Sequence, residues 1–297
     1  RCWVQEFALF AAIAPLVSAD RIVAFTRLAD AWRARRWREF DAAMAALAQP
    51  VAAAVCARVV VPRTPALKKL SAALGLGTDE GDAAARRACD EMAQVTDRDL
   101  VAAMTKLIAI HGLEGRAAGD VESRMAGDMA REGPIGEGRA AAMGGIVSGA
   151  VSGLAADLAS GGLTFGAGML TGALLGALGG AGVARAWNVA RGQSDDTVRW
   201  DDAFLERLTV TSLLRYLAVA HYGRGRGDYR DSEYPPFWRP CVEAAVAARG
   251  AAFAEVWARR GPTCEAAAVA AALEPLMSDT ARAVLADLYP AALAAGE

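Results

Sequence analysis

A chain of 297 residues holds 54% hydrophobic and 22% charged side chains, with a formal net charge of −2. That is too apolar for a disordered polar chain. It is also too acidic for a general nucleic-acid binder, so no nucleic-acid partner is expected. Alanine makes up roughly a quarter of the residues, aromatics only 7%, and arginine greatly outnumbers lysine.

The chain begins at Arg1 rather than Met, and is expected to belong to a longer protein. An apolar helix is expected over about 3–18. A long amphipathic helix should follow from Asp20, as N-cap, toward Ala48. Its buried stripe would be Phe25, Leu28, Trp32, Phe40, Met44 and Leu47. Pro50, Pro62 and Pro65 are expected to break the next stretch. A loop around Gly75–Gly81 leads to a helix at about 82–110, stopped near Gly112, and a polar helix at about 114–131 ends at Gly133-Pro134. Beyond residue 191, helices are expected at about 199–222, 236–259, 264–276 and 278–294. A Gly/Arg loop fills 223–236, and no alternating strand stands out. The fold class is therefore all-α: helical bundles in 1–132 and 193–297 flanking a Gly/Ala-rich region at 133–192.

That central region carries the strongest pattern. Between Arg139 and Arg185 the one charged residue is Asp157, and thirteen of the thirty glycines fall there. Gly145, Gly149 and Gly153 are spaced by four, as are Gly168, Gly172, Gly176 and Gly180, which aligns each set on one helix face. Asp157, Gly161 and Gly162 sit in the turn between them. The expectation is an antiparallel hairpin of helices at about 138–157 and 163–190. Four glycines on a face cost about 3–4 kcal/mol relative to alanine. Close approach of two backbones is the known compensation, above all in membranes. The uncharged arms hold 17 and 22 residues, against about 20 for a bilayer span. Arg131 and Arg139 before the hairpin, and Arg185 and Arg191 after it, put both open ends on the cytoplasmic side. The other reading is a buried hairpin in the centre of a soluble bundle, with Phe165, Leu170 and Leu174 as core.

Trp32-Arg33-Ala34-Arg35-Arg36-Trp37-Arg38 is basic and aromatic. Arg33, Arg35, Arg36 and Arg38 are candidates for a lipid or partner surface; the plainer reading is Trp32 in the core and the arginines in solvent. Arg224 and Arg226 of the Gly/Arg loop are candidates for an anion contact, or belong to an ordinary surface loop. His111 and His221 read as capping or core residues. The five cysteines, Cys2, Cys56, Cys89, Cys241 and Cys264, are scattered singly with no CxxC, and read as isolated thiols of a reducing cytosol. There is no GxSxG, HExxH or Walker A motif, and no NKxD, since Asn188 precedes Val189. No catalytic, cofactor-binding or metal-ligating residue is assigned.

Three stretches carry a family resemblance. They are Trp32-Arg33-Ala34-Arg35-Arg36-Trp37-Arg38-Glu39-Phe40-Asp41, Ala156-Asp157-Leu158-Ala159-Ser160-Gly161-Gly162-Leu163-Thr164-Phe165-Gly166 with the following Gly/Leu run, and Leu213-Leu214-Arg215-Tyr216-Leu217-Ala218-Val219-Ala220-His221-Tyr222-Gly223-Arg224-Gly225-Arg226-Gly227. In this order they resemble the C-terminal region of bacterial Era-like GTPases, domain of unknown function 3482. The resemblance implies a helical module coupled to an upstream GTPase domain in the same protein, where GTP and Mg would bind. The expected function is a non-enzymatic effector or membrane-association module, at the cytoplasmic face of the inner membrane. The alternative is a soluble interaction module docking on the GTPase domain; a pore-former is a third class.

Overall fold

The computed structural model describes residues 2–62, 80–113, 190–191, 195–221, 235 and 237–294. The fold is helical, as expected, with one small sheet. In chain order it comprises α1 (Gln5–Ile13), a 3-10 turn (Ala14–Leu16), α2 (Ile22–Cys56), β1 (Arg58–Pro62) and α3 (Glu80–Ile110). Then come β2 (Ala190–Arg191), β3 (Asp195–Arg199), α4 (Asp202–His221), α5 (Trp238–Ala247), α6 (Gly250–Trp257), α7 (Ala266–Leu288) and α8 (Pro290–Ala294). The expected polar helix 114–131, Gly145, Gly149, Gly153, Gly168, Gly172, Gly176, Gly180, the turn residues Asp157, Gly161 and Gly162, and the loop residues Arg224 and Arg226 all lie outside the described residues.

The single helix expected over 3–18 is instead α1 and a 3-10 turn. Pro15 enters that turn, and Val17 is extended at ψ 131°, which ends it. Asp20 does not cap α2. Arg21 takes the N-cap position without a side-chain cap bond, and Asp20 lies 3.7 Å from the Arg21 guanidinium.

Pro50 does not break α2, which runs 35 residues through it. An interior proline costs about 3 kcal/mol. Its flanks compensate, because Ala46, Leu47, Ala48, Val51, Ala52, Ala54 and Val55 are all buried. α7 behaves alike. It passes through Pro275 as one helix, where two had been expected, and Leu273 and Met277 on either side are buried. These two helices pack on each other and α3 packs on α2, making the body of the molecule. Over 18 residues α2 has a mean hydropathy of 1.2, long and apolar enough to cross a membrane, but more than half of that window is buried inside the protein.

Other boundaries follow local chemistry. α3 stops where Gly112 adopts φ 63°. There Leu113 N–H donates to Ile108 C=O and Gly112 N–H to Ala109 C=O, the Schellman pattern. Asp201 Oδ1 accepts from Phe204 N–H at 2.7 Å and caps α4. The helix expected over 236–259 divides at Arg249, whose φ −112°, ψ 15° are not helical, just before Gly250.

The sheet is a correction to the sequence reading. Its order is β1-β3-β2, antiparallel throughout, with Val59 opposite Val198 and Val60 opposite Thr197. Val59-Val60-Val61 is a β-branched run that suits a strand, but five residues ending at a proline look like a broken helix end. The cysteines bring a second correction. Cys56, closing α2, and Cys264, before α7, form a disulfide with Cα atoms 5.4 Å apart. Cys2 and Cys241 are in no disulfide. A separation of 208 positions hides such a pair from any reading of spacing.

Candidate functional site

The first helix, which also packs against α8, and the N-terminal half of α2 form a helical arm. α1 lies along α2 through three successive contacts. Near the root, Trp3 packs edge-on against Trp37 with ring centroids 5.1 Å apart. In the middle, Glu6 Oε2 accepts from Trp32 Nε1–H at 2.6 Å and from Arg36 Nε–H at 3.0 Å. Farther out, Phe10 meets Phe25 at 5.8 Å. The root itself is anchored in the core: Trp3 Nε1–H donates to Tyr216 Oη at 2.8 Å, a buried bond to α4.

The four arginines of the basic stretch divide by position. Arg36 is not a surface residue. It is largely buried between Glu6 and Glu39, with its guanidinium 4.6 Å from the Trp32 ring centroid. Its spacing matches Arg33 and Arg35, but α1 lies on its side of the helix. Arg33 is half-buried, 5.6 Å from the Phe7 ring centroid and 3.3 Å from Asp30. Arg35 is exposed and pairs with Glu39 at 2.9 Å. Arg38 is exposed. Only Arg35 and Arg38 therefore keep the surface position proposed for the set.

Glu39 holds this network together. Burial alone would raise its pKa, but hydrogen bonds and charge from Arg36 and Arg35 outweigh that and lower it. A carboxyl lowered on folding contributes stability above its unfolded pKa, and that contribution is lost as pH falls. Glu39→Gln should therefore melt below the parent at neutral pH, with the gap closing as pH falls past about 4, the ordinary glutamate range. A gap independent of pH would assign the loss to packing instead.

The expected stripe on α2 is half right. Phe40, Met44 and Leu47 are buried. Leu28 is exposed, while Phe25 and Trp32 are half-buried, because among the described residues only α1 and the 3-10 turn lie against that end. The sequence reading missed Leu9, Leu16 and Val23, which are exposed along with Leu28 at 57%, 84%, 60% and 56%. The available signal was the absence of any charge between Glu6 and Asp20.

His221 is a core residue. It ends α4 with its ring centroid 4.4 Å from that of Trp238. Nδ1 lies on the Leu217 carbonyl, so it carries the proton and Nε2 accepts from Tyr289 O–H. Burial, and next the neighbouring Cys2, push Tyr289 up to about 12, which suits a phenol that donates. Among the described residues no group of three or more His, Cys, Asp or Glu side chains could hold a metal.

The family model described as Domain of unknown function (DUF3482) matches residues 4–260. The chain belongs to this family. The DUF3482 match takes in the arm from Val4 onward and ends before Cys264, so α7 and α8 lie beyond it. No curated protein and no solved structure matches this DUF3482 chain.

Proposed function

We propose that the chain is a non-enzymatic membrane-association module that acts as effector of an Era-like GTPase domain in the same protein. The observation that supports it best is the arm, which carries large apolar side chains into solvent and away from the core. Contiguous exposed apolar surface on a water-soluble body marks an interaction site or a membrane contact. The uncharged sequence from Leu163 to Ala184, long enough for a span, supports the same reading. GTP and Mg belong to the upstream domain, and no step of their chemistry is assigned to residues of this chain.

The test is flotation of the 1–297 chain with liposomes, followed by an alkaline carbonate wash. Carbonate-resistant flotation is expected, and Gly172→Leu with Gly176→Leu should reduce it by disturbing close helix approach. A monodisperse protein that stays at the bottom of the gradient refutes the membrane reading. It would leave the alternative, a soluble module docking on the GTPase domain.

A further inference from the structure

From Ala8 to Glu39, 32 consecutive residues, none is fully buried, although Phe7 and Phe40 on either flank are. The helix rises about 1.5 Å per residue, so Ile22 stands about 27 Å from Phe40 along α2. The far end is mostly apolar, with an exposed Asp20–Arg21 pair in the turn itself. Among residues 11–24 the polar ones are Ser18, Asp20 and Arg21. The exposed Leu9 and Leu16 come from α1 and the turn after it, and the exposed Val23 and Leu28 from α2. Charge follows a different course from the rest of the chain. Residues 2–39 hold six arginines against Glu6, Asp20, Asp30 and Glu39, a net charge of +2 in a protein of net charge −2.

We infer that the tip of this arm is a wedge that seats in the interface of an anionic lipid bilayer. The inference rests on the membrane reading above and moves its first contact from residues 138–190 to residues 11–24. A groove on a protein partner would need apolar residues along one stripe of a helix. Here they come from both helices of the hairpin and from the turn between them. An interfacial helix buries its apolar part about 5–10 Å deep. Arg27 lies five residues behind Ile22, about 8 Å along the axis, at headgroup level. Arg21, nearer the tip, has a stem long enough to reach back to the same level. Its pairing with Asp20 at 3.7 Å reduces the cost of the one acid that would approach the lipid. Arg38, also exposed, extends the positive surface toward the root.

The experiment compares the 1–297 chain with two variants on vesicles of phosphatidylcholine alone or mixed with phosphatidylglycerol. One variant is Leu16→Asp with Val23→Asp, and the other is Arg21→Gln with Arg27→Gln. All four side chains are exposed, so circular dichroism and melting should match the parent. The parent should prefer the anionic vesicles, and each variant should lose about tenfold or more in partitioning to them. If the parent floats and both variants float equally well, the wedge is wrong while the membrane reading survives through residues 138–190. If the parent floats on neither vesicle, both readings fall. If Leu16→Asp with Val23→Asp turns a dimer into a monomer and leaves vesicle binding unchanged, the tip belongs to a second copy of the chain and the lipid assignment is overturned.

Discussion

Phe40→Ala should destabilise the protein by about 3–5 kcal/mol, the usual cost of emptying an aromatic site in a packed core. Phe40 has no exposed surface. Its ring lies 5.4 Å from Trp37, 5.6 Å from Tyr216 and 6.1 Å from Trp3, centroid to centroid. Arg282 of α7 closes the site, 5.4 Å from the same centroid and 4.5 Å from that of Trp37. Four elements meet on this one side chain: the segment before α1, α2, α4 and α7. Collapse of the cavity would require all four to move. Urea denaturation checks the expectation. A loss under about 1 kcal/mol, typical of surface substitutions or smaller core changes, would show that the root of the arm is loosely packed.

Cys264→Ser should cost about 2–4 kcal/mol, chiefly through the freedom it returns to the unfolded chain. The bond joins residues 208 positions apart, and long loops gain most from closure in the chain-entropy account. Thermal melts with and without reductant give the comparison. The parent under reductant should fall to the level of Cys264→Ser, and Cys56→Ser with Cys264→Ser should lose no more than either alone. A parent melt indifferent to reductant would mean that the two thiols are not joined in solution.

Much of the helical plan was legible because its signals are local. Gly112 is a stop residue whose effect acts within one turn, and it acts where the sequence places it. What escaped depends on partners distant in the chain. Pro50 and Pro275 read as breaks because their cost is local, while the burial that offsets it comes from other helices. β1 could not be recognised without β3, more than a hundred residues later, whose Asp195–Arg199 is mostly polar. Arg36 resembled its neighbours until Glu6 was seen opposite it. The arm was readable in composition, from the charge-free run between Glu6 and Asp20. Its exposure was not, since the same run would serve equally well as core.

The disulfide also changes how the chain would carry tension. A pull applied to the arm passes along α2 to Cys56, crosses to Cys264, and continues through α7 toward the C-terminus. Everything between those two cysteines forms a side loop off that covalent path. With the bond intact, a force on the arm has a covalent path to the C-terminal helices that does not run through residues 57–263. A protease cut within that loop would likewise leave two fragments that travel as one until the bond is reduced.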